Sequence, residues 1–177
     1  MSPMSLDSLR APLLRTWADS LRERGIRRIE GNLILRTWPF RLQVNSPDWE
    51  VGDVNDRFGP PVDGFGFNSN VCQVAIFPGA FEGAGALFTI DPPYTPVDVR
   101  SSVTTAPSDA KPAISMRIVP EDTVVSLTGE TPLGDDGEYL WIDVQNPALF
   151  FGRALTAALL DGGIEIAGEI MVQREPF

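Results

Sequence analysis

Trp49 to Gly79 reads WEVGDVNDRFGPPVDGFGFNSNVCQVAIFPG, a polar part broken by glycine and proline followed by an apolar run. Val71 to Phe77, rich in β-branched and aromatic residues and closed by Pro78-Gly79, predicts a strand. Cys72 sits inside that run as the chain's single cysteine, so it cannot close an intrachain disulfide and is expected to be a buried small hydrophobe. The polar part crowds Asp48, Glu50, Asp53, Asn55 and Asp56 into one loop. Hard cations take such oxygens, but the alternating acidic positions and following glycine of an EF-hand are missing, so no calcium site is expected.

Working outward, Leu6, Leu9, Leu13, Trp17 and Leu21 recur at three- and four-residue spacing and predict a first helix with those residues on one face. Pro12 cannot donate from a helix interior, so the regular helix is expected to start or bend near Ala11. Gly25 suits the left-handed position past the helix end. Arg22 and Arg24 lie well against the negative end of its dipole, so the basic cluster from Arg22 to Arg28 needs no ligand. Strands are then expected at Ile29–Leu35, Val71–Phe77, Ala86–Ile90, Val97–Val103, Ala113–Val119, Val124–Leu127 and Tyr139–Val144. Asn146-Pro147 supplies a side-chain cap and a first-turn proline for a second helix. Its apolar stripe is Phe150, Phe151, Ala154, Leu155, Ala158 and Leu159, and it ends at Gly162-Gly163. Asp135-Asp136-Gly137 is read as a hairpin turn.

The two ends of the chain look alike. Leu21-x3-Gly25-Ile26-x2-Ile29-x-Gly31 parallels Leu159-x3-Gly163-Ile164-x-Ile166-x-Gly168, each a helix, a glycine stop and a strand. Short helix-to-strand connections favour packing each helix on its own sheet. The expected fold is therefore mixed α+β: an α/β domain, a β-sheet flanked by helices, formed by residues 1–93 and 138–177. Residues 94–137 lack a helical period, are punctuated by Pro96, Pro107, Pro112, Pro120, Pro132 and Gly134, and read as a small β-rich inserted domain.

With 177 residues and 43% apolar content the chain can bury one full core or two small ones. A net charge of -10 opposes binding to a phosphate backbone, which excludes nucleic acid as a partner. No run approaches the roughly 18 apolar residues of a membrane span, and Met1 to Leu6 lacks the basic start of a secretion signal. As the chain stands, a cytoplasmic location is expected. There is no histidine, one cysteine, and one lysine, Lys111. That excludes most hydrolytic chemistries and a conventional zinc site, and no cofactor is expected.

An ordered set of pieces resembles the D-alanyl-D-alanine carboxypeptidase/endopeptidase family, the class C low-molecular-mass penicillin-binding proteins. The pieces are the helix ending in Gly25-Ile26 with its strand through Gly31; Trp49-x3-Asp53-x4-Phe58-Gly-x-Pro61-Val62; Asn68-x-Asn70 leading to Pro78-Gly79; Val99 to Thr104; Thr128-Gly129; Asp143 to Pro147; and Gly163-Ile164-x3-Gly168. The resemblance implies an enzyme whose penicillin-recognising catalytic domain is interrupted by an α/β domain, itself carrying a β insertion. This chain would be those two insertions. The family's catalysis uses SxxK, SxN and KTG, and so needs two lysines. Ser108-Asp-Ala-Lys111 matches SxxK literally, but Pro107 and Pro112 oppose the helix that would present both side chains on one face. A surface loop is expected there.

The resemblance also implies a binding role for Asp53 and Phe58, at the spacing of an acidic residue and an aromatic that receive the amine on the third residue of the peptidoglycan stem peptide. A carboxylate beside an aromatic wall suits such an amine. This chain departs from the family in carrying Phe58 where tyrosine is common and Gly59-Pro-Pro-Val-Asp-Gly-Phe65 where Ala-Pro-Val-Ser-Ala-Leu is usual. The expected function is thus a non-catalytic portion of a carboxypeptidase-like protein, not an enzyme alone, with the stem peptide or a catalytic domain as partner and the cell envelope as its setting. The alternative is a stand-alone module binding peptidoglycan peptides or a protein. Either way an apolar face is expected to meet that partner or a second copy in a homodimer.

Overall fold

The computed structural model describes residues 12–37, 63–118 and 123–174. Helix α1 spans Pro12–Glu23 and begins on the proline, where a missing N–H costs nothing. Two short strands follow, β1 (Arg28–Ile29) and β2 (Leu33–Thr37). Near the other end, α2 (Pro147–Asp161) leads into β9 (Glu165–Ile166) and β10 (Ile170–Arg174). Asn146 caps α2 by accepting from the Leu149 N–H at 3.1 Å, and Pro147 takes the first turn, as the sequence predicts.

The likeness between the ends is structural. Past α1, Gly25 N–H donates to Arg22 O at 2.9 Å and Ile26 N–H to Leu21 O at 3.1 Å. Past α2, Gly163 N–H donates to Leu160 O at 2.9 Å and Ile164 N–H to Leu159 O at 2.8 Å. These are two copies of one Schellman stop, and each turns on a left-handed glycine, with φ of 84° at Gly25 and 76° at Gly163. The strands they launch then pair in parallel, β1 with β9 and β2 with β10, the latter running from Leu33↔Ile170 to Thr37↔Arg174.

The helices pack on each other through small residues. A Cβ added at Gly162 would come within 2.9 Å of the Ala18 Cβ, so the helices approach closely only because Gly162 has none. Ala18, Leu159 and Ile164 are buried there with Leu21, Ile29 and Ile166 against them. This corrects the expected face of α1: Leu14 and Ala18 are buried, whereas Leu13 and Trp17 are exposed. Leu14, Ala18 and Leu21 share the same helical spacing, and closeness of approach selects the small residue over the large one.

Between these ends, β3 (Val71–Phe77) lies between β4 (Leu87–Asp91) and β8 (Glu138–Asp143), antiparallel to both. Its Cys72, Val74 and Ile76 side chains share one face and are fully buried. A second three-stranded sheet orders β5 (Asp98–Ala106), β7 (Val124–Pro132) and β6 (Ala113–Ile118), with β5 parallel and β6 antiparallel to β7. The sheets meet where Ala86 N–H donates to Val103 O and Thr105 N–H to Ala84 O. Val103, Val125 and Leu127 join Cys72, Val74, Ile142, Phe150 and Leu14 in one apolar cluster. The architecture is mixed α+β.

Two turns bear on the sequence readings. Ser108 and Asp109 form an exposed turn between β5 and β6, closed by Ala110 N–H to Pro107 O at 3.0 Å, so Ser108 and Lys111 do not share a helix face. Asp135-Asp136-Gly137 is not a hairpin turn, because β7 and β8 belong to different sheets. The chain turns earlier, with Asp135 N–H donating to Pro132 O, and the Asp135 carboxylate then accepts from Gly137 N–H at 2.8 Å.

Candidate functional site

The sequence-derived binding residues, Asp53 and Phe58, lie outside the described residues, as do the Trp49-x3-Asp53 motif and the acidic cluster from Asp48 to Asp56. The structure does show where that stretch departs and returns. β2 ends at Thr37, and the described chain resumes at Asp63. The buried Thr37 hydroxyl donates to the Asp63 carboxylate, which also accepts from the Phe65 N–H at 3.3 Å. Thr37 and Asp63, the described residues on either side of 38–62, therefore meet at one point.

An aromatic corner adjoins that point. Phe65 lies 5.1 Å from Phe151 of α2, and Trp17 of α1 meets Phe151 edge-on at 6.2 Å. Such tilted and edge-on pairs are favourable ring arrangements. Gly152, the next residue of α2, sits over Leu35 and Ile170, so this end of α2 rests directly on β2 and β10. Trp17 remains partly exposed at this corner.

The limb continues into the protein through Phe67, which is buried and packs edge-on against Phe150 at 5.2 Å and against Tyr94 at 5.9 Å. Tyr94 belongs to the 92–95 loop, fixed by Thr95 hydroxyl to Pro92 O at 2.6 Å and by Arg153 Nη1 of α2 to Thr95 O at 3.1 Å. After Phe67 the backbone turns through Asn68, Ser69 and Asn70, all with left-handed φ of 54°, 54° and 57°. Asn70 Oδ1 accepts from Phe67 N–H at 3.1 Å, Asn68 Nδ2 donates to Val71 O at 2.7 Å, and Asn70 O accepts from Val144 N–H at 2.8 Å.

These aromatic residues cover the chain's single thiol. Cys72 lies beneath them as a buried thiol, pushed up to about 12 by burial; contact with Thr95 acts against that shift, and the Asp143 charge adds to it. Such a thiol stays protonated and inert at neutral pH. Among the described residues no group of three or more histidine, cysteine or acidic side chains could hold a metal ion. A groove of about 310 Å³ between the helices, lined by Arg15, Ala18, Asp19, Ala158, Asp161 and Gly162, follows from the small-residue helix contact and mixes charges of both signs. Among the described residues no helix is long and apolar enough to cross a membrane.

Comparison with known proteins gives this geometry a setting. Residues 7–177 match the D-Ala-D-Ala carboxypeptidase 3 (S13) family. A crystal structure of penicillin binding protein 4 (dacB) from Haemophilus influenzae has the same fold, with TM-score 0.72 and 22% identity over 93% of this chain and 36% of that one. A second structure of that protein, complexed with a novel beta-lactam, gives TM-score 0.62 and 19% identity over 95% of this chain and 35% of that one. The chain spans about a third of the length of the solved structures it matches.

Proposed function

The chain belongs to the D-Ala-D-Ala carboxypeptidase 3 (S13) family, and from that premise we propose that it is a non-catalytic portion of a penicillin-binding, serine-type peptidase of peptidoglycan metabolism. The observation that carries this reading is the family match over residues 7–177 in a chain with one lysine, set in an exposed turn. The family's serine chemistry needs one lysine beside the nucleophile and another in KTG. We read residues 1–93 and 138–177 as one α/β unit and 94–137 as a β-rich insertion into it. Its setting is the cell envelope, as part of a longer protein.

In this reading Asp53 and Phe58 receive the amine on the third residue of the stem peptide. An ammonium on an aliphatic stem is held by a charge-assisted hydrogen bond and by the face of a ring. The Thr37–Asp63 contact joins the two described residues that flank the segment containing the pair. Calorimetric titration with a synthetic stem peptide bearing that free amine tests the assignment. Asp53→Ala is expected to weaken binding about tenfold or more, the scale of one charged hydrogen bond. Superimposable titrations of wild type and variant would remove Asp53 from the pocket.

Exposed apolar side chains favour a second partner for the same chain. Phe81, Leu87 and Tyr139 are exposed around the end of the β4-β3-β8 sheet, and Leu13 and Trp17 are exposed on α1. A catalytic domain is the partner proposed for such surface, and a second copy of the chain is the alternative.

A further inference from the structure

Three consecutive residues other than glycine in left-handed conformation are costly, since each brings its Cβ close to the following carbonyl. Asparagine tolerates the region best, serine less well, and the middle residue of this turn is Ser69. Ser69 is exposed, and no hydrogen bond of its side chain is among those described to offset the conformation. The strain is held by the turn's own side chains, Asn70 Oδ1 on Phe67 N–H and Asn68 Nδ2 on Val71 O, and from the neighbouring segment by Val144 N–H on Asn70 O. A strained backbone that its surroundings over-determine marks a position where direction matters more than local stability.

We propose that Asn68-Ser69-Asn70 is a positioning corner that fixes the limb from Asp63 to Phe67 against Thr37 and the Trp17–Phe151 rings. The limb is tied at its far end by the Asp63 carboxylate and at its near end by this turn, with the Phe65 ring held on Phe151 between them. Loosening the corner frees the limb while relieving the strain, so local order and global stability move in different directions. That divergence distinguishes a positioning corner from an ordinary turn, where both fall together. The inference concerns described residues alone and stands independently of the peptide-binding reading.

Ser69→Gly tests it, because glycine adopts the left-handed conformation without penalty and adds backbone freedom. The measurement is amide hydrogen exchange at Phe65 and Val144 together with the thermal midpoint. The expected result is a midpoint equal to or above wild type, with protection at Phe65 reduced about threefold to fivefold while core amides of β3 are unchanged. Asn70→Ala, which removes the acceptor for Phe67 N–H, is expected to reduce Phe65 protection further. Unchanged Phe65 protection in both variants would overturn the proposal, and so would a uniform loss of protection and midpoint in Ser69→Gly.

Discussion

The hydroxyl of Thr37, at the last position of β2, donates to the carboxylate of Asp63, where the described chain resumes after residues 38–62. One hydrogen bond thus joins the end of a parallel strand to the start of the limb that enters the aromatic core. Thr37 is buried, at 3% exposure, and among the described residues Asp63 is the partner that satisfies its hydroxyl.

Removing either side should have unequal effects. Asp63→Ala leaves a buried donor without its acceptor and should destabilise by about 1–3 kcal/mol, whereas Thr37→Val replaces the donor by an apolar group of similar shape and should cost about 1 kcal/mol or less. Urea unfolding of both variants and of the double variant gives the comparison. Equal losses in the two single variants would show that the bond is not what holds this point.

The helix contact makes a steric prediction free of backbone strain. Gly162 has a φ of -74°, which any residue adopts, so Gly162→Ala acts through contact, first the 2.9 Å approach to Ala18 Cβ and then 3.3 Å approaches to Ala158 O and Leu159 O. Overpacking of this kind should cost about 1–3 kcal/mol. Adding Ala18→Gly should recover part of that loss despite the poorer helix propensity of glycine, and a double variant weaker than the sum of the singles would contradict the contact.

Cys72 predicts an alkaline weakness. Its thiol is pushed from 9.0 up to about 12, first by burial, so the folded state keeps a proton that the unfolded chain releases near pH 9. The contribution is fully present below that pH and is lost as pH rises from about 9 to about 12, at about 1.4 kcal/mol per pH unit. Cys72→Ala should lower stability at neutral pH but flatten the curve in that window. A variant with the same slope as wild type would place the alkaline loss elsewhere. At neutral pH the native thiol should resist thiol reagents until the protein unfolds.

Much of the fold was legible because the signals were local. Asn146-Pro147 read as a cap and opened α2, the Val71–Phe77 run became β3, and the helix–glycine likeness of the two ends became a pair of matched Schellman stops with parallel strands. What escaped depended on distant partners. Leu13 and Trp17 carried the stronger apolar signal on α1, yet Ala18 is buried, because Gly162, far away in sequence, admits only a small neighbour there, and Arg22 donates to Gly162 O beside that contact. Asp-Gly at 136–137 had hairpin chemistry, but β8 pairs with β3 instead of β7. The Thr37–Asp63 tie left no pattern, since a threonine and an aspartate so far apart have no periodicity to betray them. Asn68-x-Asn70 was visible as a motif, and its left-handed conformation became apparent only with the backbone.

The chain belongs to the D-Ala-D-Ala carboxypeptidase 3 (S13) family, and we propose that it does not by itself perform that family's serine chemistry. Incubation of the purified chain with benzylpenicillin, followed by intact mass spectrometry, tests that most directly. An unmodified mass is expected, because the one serine–lysine pair at family spacing, Ser108 and Lys111, lies in an exposed loop between β5 and β6. A penicilloyl adduct that maps to a serine of this chain would contradict it.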